Sequence, residues 1–302
     1  MKTSYTMLDP QSSQVNSPRG RCALGVMIKA PRAGASKTRL VPPLTHEEAA
    51  RLSVAFLRDT AENIADACLE HSDGAVHAVA VYTPAGAEGA FDELLPPGFA
   101  LLVQRGDAFG ERLFHAAADL LRLGYESCCL IDSDSPTLPR ALLTAAVEEL
   151  RRPGDRLVLG PSDDGGYYLI GMKRAHPRLF EEIAWSTADV SKHTLERARE
   201  IDLEVKLLPA WYDVDDASTL CRLHDELFDA PGDAFDAPAG DDDKARGDDA
   251  HGDDDNKARG AKLVPYFASH TRAEVARLLD AEGRERILDG LAAARAREEN
   301  GA

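Results

Sequence analysis

The run Ser127-Cys128-Cys129-Leu130-Ile131-Asp132-Ser133-Asp134-Ser135-Pro136 decides the fold class. Five small or apolar residues lead without helical spacing into two aspartates one residue apart, and the chain then turns at a proline. Such a run reads as a strand buried on both faces. Carboxylates at the carboxyl end of a strand in an open α/β sheet stand where such sheets bind ligands. Alternate side chains of an extended chain share a face, so Asp132 and Asp134 can face one site. Magnesium takes one or two protein carboxylates and completes its octahedron with water and substrate phosphates, and this pair would supply them. The same residues also suit a plain turn in which Asp and Ser cap a helix starting near Pro139.

Outward from this strand, segments of the same kind alternate with helical patterns. The other strand candidates are 23–29, 76–82, 100–104, 157–160, 167–172 and 204–208. Between them, Thr45-x-x-Glu48 is a capping box opening a helix with Ala49, Leu52, Phe56, Ile64 and Ala67 near one face. A second helix spaces Leu113, Ala116, Ala117, Leu120 and Leu121, and a third runs from near Pro139 to about Arg151. Strand-helix alternation predicts an α/β fold with a doubly wound, mostly parallel sheet and helices on both faces.

Composition sets the outer limits. The chain has 302 residues, 44% hydrophobic and 29% charged, enough for one large α/β domain. Residues 1–21 read as a loose leader lacking the charged start and apolar stretch of a secretion signal. Residues 22–228 carry the α/β pattern. Residues 229–262 form an acidic linker of Asp, Gly, Ala and Pro with the imperfect repeat DDDKARG and DDDNKARG, a composition expected to stay disordered. Residues 263–302 read as amphipathic helices, either docked on the core or mediating self-association, and the oligomeric state stays open. Five cysteines without a Cys-x-x-Cys pair argue against a disulfide scaffold or thiolate zinc site and fit a reducing cytoplasm. A net charge of −17 argues against nucleic-acid binding, and no apolar run reaches membrane-spanning length. An acidic protein handling anionic nucleotides needs a metal ion or a local group of cations.

Such a group follows the first strand. Lys29-Ala30-Pro31-Arg32-Ala33-Gly34-Ala35-Ser36-Lys37-Thr38-Arg39-Leu40 brings four cations and Gly34 to the same sheet edge, where backbone amides and cationic side chains can wrap phosphates. A basic surface loop is the simpler reading of any one of them. Gly160-Pro161-Ser162-Asp163-Asp164-Gly165-Gly166-Tyr167-Tyr168 sets paired glycines beside paired aspartates, as a ligand approach or as a hairpin turn. Trp211-Tyr212-Asp213-Val214-Asp215-Asp216 follows the last strand and delivers another carboxylate or caps the next helix. In Gly106-Asp107-Ala108-Phe109-Gly110-Glu111-Arg112, Glu111 sits at a helix start, where the dipole favours it with or without a catalytic role.

Taken in order, KAPRAGASKTRLVPPL, GDAFGERL, IDSDSPTLP, LGPSDDGGYYLIG, WSTADVSKHTL and WYDVDD resemble a bacterial family of GT-A-fold glycosyltransferases, some associated by name with arsenosugar biosynthesis. The resemblance spans roughly residues 23–227. It implies a nucleotide-diphospho-sugar transferase fold whose Asp-x-Asp position holds Mg2+ or Mn2+ on a diphosphate, here Asp132 and Asp134. The family more often shows G-T-D-C-P at this place, so Asp134 matches its aspartate and Asp132 replaces its glycine. Lys29, Lys37 and Arg39 match the basic loop, with Gly34 inside it, and Asp164, Gly165 and Gly166 match the DGG element. Asp215 matches the late aspartate of a D-V-D-T-P motif in related nucleotidyltransferases, although DVDDAS lacks the Thr-Pro. KTRLVPPL and the DGG element are also similar to guanylyltransferases that activate phospholactate-type acids in deazaflavin-cofactor synthesis.

The leading expectation is transfer of a glycosyl group from a nucleotide-sugar donor to a small-molecule acceptor. Asp132, Asp134 and Asp215 would hold the metal, Lys37 and Arg39 would add fixed positive charge, and Asp164 or Glu111 would act as base. The alternative is nucleotidyl transfer onto a phosphorylated small molecule with pyrophosphate release. A third reading is a non-enzymatic nucleotide-binding protein.

Overall fold

A computed structural model describes residues 5–11, 21–34, 36–71, 74–229, 263–280 and 282–301. Its strands are β1 (Thr6–Met7), β2 (Cys22–Lys29), β3 (Val76–Thr83), β4 (Ala100–Val103), β5 (Ser127–Ile131), β6 (Arg156–Pro161), β7 (Tyr167–Met172) and β8 (Glu204–Leu207). They form one mixed sheet in the order β1-β4-β3-β2-β5-β7-β6-β8. Its helices are α1 (His46–Glu70), α2 (Phe109–Arg122), α3 (Arg140–Arg151), α4 (Val190–Glu200), α5 (Ala217–Asp229), α6 (Ser269–Asp280) and α7 (Arg284–Gly301).

Period-two burial explains the layers. In β2, Cys22, Leu24, Val26 and Ile28 face one core with Leu57, Ala61 and Ile64 of α1 and Leu142 and Val147 of α3. Ala23 faces a second core with Leu113, Ala116 and Leu120 of α2 and Ala198 of α4. Helices on both faces leave the central strands dry, as their continuous apolar sequences require. The Thr45–Glu48 capping box is present: the Thr45 hydroxyl accepts from Glu48 N, and the Glu48 carboxylate from Thr45 N.

Topology gathers the motifs. β2, β3, β4, β5, β6 and β8 run the same way, and β7 alone among the described long strands is antiparallel to its neighbours β5 and β6. The β6–β7 hairpin, residues 162–166, therefore turns at the edge where β2 ends in the basic loop, β5 in the aspartate pair and β8 in residues 208–215.

One region departs from the expectations, and in another the structure takes one of the two courses expected. The leader was expected to be loose, but β1 pairs in parallel with β4, Leu8 N donates to Leu101 O at 2.8 Å and the Tyr5 hydroxyl donates to Leu95 O at 2.9 Å. A two-residue strand carries no readable periodicity, so composition alone could not place it. The second region is the C-terminal helices. These are docked: Val275, Leu278, Ile287 and Leu291 close a third core with Leu52 and Phe56 of α1, Leu220 and Leu223 of α5, and Leu40. Residues 230–262, most of the expected acidic linker, lie outside the described residues, as do 12–20. Among the described residues no helix is long and apolar enough to cross a membrane.

Candidate functional site

The strand ends enclose two adjoining cavities. The larger, about 480 Å³, is lined by Asp132, Asp134, Asp164, Asp213 and Asp215, by Gly166 and Arg39, and by Phe109, Leu113, Tyr167 and Trp185 among others. The smaller, about 280 Å³, is lined by Lys29, Ser36, Lys37, Thr38, Arg39 and Ser53. Both share Arg39, Ser133, Asp134 and Asp215. A carboxylate centre thus stands between a basic compartment and an apolar one.

Lys37 ties the centre together. It occupies a left-handed backbone conformation (φ 50°) at the head of the short 3-10 turn 38–40, and its side chain is 5% exposed. Its ammonium lies 2.9 Å from Asp134 Oδ2 and 2.7 Å from Asp215 Oδ1, and Arg39 Nη1 lies 3.7 Å from Asp215 Oδ2. Burial pulls the Lys37 pKa down, but the charges of Asp134 and Asp215 outweigh it and hold it above the usual lysine value. Residues 178 positions apart are joined here by one ion pair.

Asp132 and Asp134 reach the cavity differently from the extended chain anticipated. The strand ends at Ile131, and Asp132 closes a turn on itself: Asp134 N donates to its Oδ1 at 3.2 Å and the Ser135 hydroxyl to its Oδ2 at 3.0 Å. Turn closure and the cavity-lining position coexist in one residue, whereas α3 has no side-chain cap at its N-cap Pro139. Burial raises the Asp132 pKa well above the usual carboxylate range, and the negative charges of Asp134 and Asp213 add to this. Asp134 O accepts from Val214 N at 2.9 Å, fastening the β5 end to the last segment.

That segment divides its acids. Asp216 caps α5, accepting from Ser218 N and Thr219 N at 3.0 and 2.9 Å, whereas Asp215 turns to Lys37. Asp213, which sequence reasoning left without a role, lines the cavity and accepts from the Ser162 hydroxyl at 2.7 Å. Burial raises its pKa; the Ser162 bond opposes this, and Asp164 and Asp215 add to it. Only the density of acids in residues 213–216 could have flagged it.

The DGG hairpin splits in the same way. Asp164 lines the cavity and uses Oδ1 to accept from Gly166 N at 2.8 Å. Gly166 lines the cavity too, but Gly165 does not. With φ +90° and a Cβ that would fall 2.1 Å from Ala188 O, Gly165 seats the 185–189 loop on the hairpin rather than meeting a ligand. Gly34, also at positive φ, lines neither cavity, and Lys29 lines the basic one. Glu111 takes the helix-start role: its carboxylate accepts from Asp107 N and Ala108 N at 2.9 and 3.2 Å, capping α2, and it lines neither cavity. Backbone bonds hold its pKa below the usual glutamate value.

The apolar compartment was missed as a unit. Phe109 and Trp185 meet edge to face at 5.2 Å between centroids. Gly110 permits this, because any Cβ there would sit 2.7 Å from the indole. Phe109 opens α2 and Trp185 lies in the loop before α4, so no local signal joined them.

The donor set fits a divalent cation. Five aspartates line one cavity and offer only hard oxygen atoms, the chemistry that Mg2+ and Mn2+ prefer. Burial is the main cause of the upward shifts of Asp132 and Asp213, and neighbouring carboxylates add to it. A second acid-histidine group, Asp59, Glu62 and His270, is accounted for by packing: Asp59 accepts from His270 N and Thr271 N, and His270 Nε2 lies 2.8 Å from Glu62.

The chain is similar to known proteins at this level. Residues 65–187 match a family described as an uncharacterized protein conserved in bacteria (DUF2064). No curated protein matches the chain. Among solved structures, a candidate nucleotide-diphospho-sugar transferase from Desulfovibrio desulfuricans G20 is 32% identical, covers 68% of this chain and 86% of its own, and has a TM-score of 0.60. Slighter likenesses are to Rv0371c of Mycobacterium tuberculosis H37Rv solved with manganese (18% identical, 67% of this chain and 97% of that one, TM-score 0.37) and to a cytidylyltransferase from Leptospira borgpetersenii (11%, 69% and 87%, TM-score 0.42). By the identity and coverage of the Desulfovibrio relative, this chain belongs to the bacterial family of nucleotide-diphospho-sugar transferase-like proteins.

Proposed function

We propose that the protein is a metal-dependent transferase that takes a glycosyl group from a nucleotide-sugar and passes it to a small acceptor. One observation carries this reading: the carboxylate centre lies between a basic compartment suited to phosphates and an apolar one suited to a ring. Similarity to a candidate nucleotide-diphospho-sugar transferase favours a sugar nucleotide as donor.

Asp134 and Asp215 would hold Mg2+ or Mn2+, with Asp132 and Asp213 behind them. When bound, the ion supplies positive charge to the departing diphosphate. Lys29, Lys37 and Arg39 bind and orient the phosphates from the other side, and fixed charges of this kind need no reorganisation during reaction. Asp164 keeps one oxygen for Gly166 N and has the second to accept the proton of an acceptor hydroxyl. The hydroxyl oxygen bonds to the anomeric carbon, the carbon–oxygen bond to the diphosphate breaks, and nucleoside diphosphate leaves.

The leaving group tests this. Enzyme, magnesium and cell extract are incubated with nucleotide-sugars or with nucleoside triphosphates, and both possible products are assayed. Nucleoside diphosphate release that depends on an extract component and on Asp134 is the expected result. Pyrophosphate release with no turnover of nucleotide-sugars would replace glycosyl transfer by nucleotidyl transfer.

A further inference from the structure

The acceptor end of the larger cavity has a chemistry of its own. Its wall combines Phe109 and Trp185, in edge-to-face contact, with Leu113 and Tyr167. Phe109 is 44% exposed and lines the cavity from the first turn of α2. Tyr167 adds carbon rather than oxygen. Its hydroxyl is buried and without a hydrogen-bond partner while the residue as a whole stays partly exposed, so what it presents to the cavity is ring. Tyr168 likewise turns its hydroxyl away, to Pro209 O at 2.9 Å.

The polar groups of this cavity have one sign. Against five aspartates, Arg39 is the single cation among the described lining residues, and it stands at the end shared with the basic compartment, beside Asp215. A phosphate or carboxylate entering the aromatic end would meet the like charges of Asp164 and Asp213; Arg112, whose guanidinium carbon lies 5.9 Å from the Phe109 centroid, does not line the cavity and donates through Nη1 to Asp107 O. The Asp164 carboxylate, by contrast, is a ready acceptor for a hydroxyl donor.

We infer that the acceptor is an uncharged ring compound bearing hydroxyl groups, held by its flat apolar face against Phe109 and Trp185, and that phosphorylated or carboxylated acceptors are refused. The inference rests on the reading that donor phosphates occupy the Lys29–Lys37–Arg39 side.

Matched probes test it with the full chain. Phenyl β-D-glucoside, phenyl β-D-glucuronide and phenyl phosphate present the same ring with no charge, a carboxylate or a phosphate. Saturation-transfer NMR is recorded for each, with magnesium and a nucleoside diphosphate present. The expected result is transfer to the phenyl protons of the glucoside alone, reduced several-fold in Phe109→Ala and in Trp185→Ala. Phe109→Ala, at an exposed ring, covers the case in which loss of the Trp185 packing unfolds the loop. Equal or stronger binding of the glucuronide or phosphate would overturn the proposal, as would unchanged glucoside binding in both variants. Displacement of the glucoside by free nucleosides would also overturn it, by making the aromatic end a base site. Calorimetric titration of nucleoside diphosphate with magnesium is run in parallel. Its failure would sink the transferase reading without altering the outcome for the glucoside, so the two ideas fall separately.

Discussion

Lys37 Nζ donates to Asp215 Oδ1 at 2.7 Å, so the loop after the first long strand and the segment after the last are locked by one charged hydrogen bond. The bond is nearly dry on the lysine side and wet on the aspartate side, with exposures of 5% and 40%.

Replacing Lys37 with Met should therefore leave Asp134 and Asp215 with only the more distant Arg39, 3.7 Å from Asp215, as counter-charge. Loss of one partner of a buried pair costs about 3–5 kcal/mol, and the exposure of both carboxylates reduces this to about 1–3 kcal/mol. Magnesium or manganese should return part of the loss in the variant and stabilise the wild type less. Thermal melts with and without metal decide it; a variant as stable as wild type and indifferent to metal would remove Lys37 from the charge balance.

Asp134→Asn should lower metal-dependent nucleotide binding by at least about 10-fold, the scale seen when a metal site loses an oriented group. Asp132→Asn should weaken binding less, because that side chain is engaged with Asp134 N and the Ser135 hydroxyl. Titration calorimetry of nucleoside diphosphate in magnesium measures both. An unchanged affinity in Asp134→Asn would exclude it as a ligand.

Much of this geometry was legible beforehand and some was not. Most of the seven longer strands announced themselves as short apolar runs between turn residues, with β8 (EVKL) the exception, and Thr45 and Glu48 announced α1. Asp134, Asp164 and Asp215 could be singled out since each follows a strand, and strand ends collect at one edge of such a sheet. Glu111 and Gly165 looked equally good by position. Their hydrogen-bond partners and neighbours are backbone groups of their own turns and of the 185–189 loop, which no spacing rule exposes. Phe109 and Trp185 meet only through tertiary packing, 76 positions apart by their numbering, and no local pattern links the two.

The C-terminal helices give a third prediction. Leu278 and Ile287 are 2% and 4% exposed in a core shared with Leu40. Leu278→Ala should cost about 2–5 kcal/mol, and cutting the chain after residue 230 should abolish cooperative unfolding. Denaturant titration followed by fluorescence and circular dichroism reads both. A truncated protein that unfolds in one sharp step near the wild-type midpoint would show that the third core is dispensable.

The fourth concerns pH. Burial lifts the Asp59 pKa from 3.8 to about 6, against the opposing bonds from Thr271 and His270. The folded state thus holds a proton that the unfolded chain has released. This contribution to stability is complete below about pH 3.8 and is lost as pH rises through about 6. Asp59→Asn should flatten that part of the stability profile, measured by urea unfolding at pH values on either side of 6. An identical slope in the variant would mean that Asp59 is ionised in the fold throughout.

The Asp59 carboxylate binds amides 211 and 212 positions further along the chain, and α6 seals the core that holds Leu40, three residues from Lys37. Distant closure of this kind slows folding, because chain entropy must be spent before the contacts repay it. At a translation speed of about 5–20 residues per second, those partners are made roughly 10–40 s after Asp59. Once Asp215 has been made, and until residues 270 and 271 follow, the nascent sheet has its strands and its aspartates, but the loop that bears Lys37 lacks part of its support. Closure of the site is thus a late event in synthesis, and a chain that ends between α5 and α6 has the whole sheet but an unfinished site.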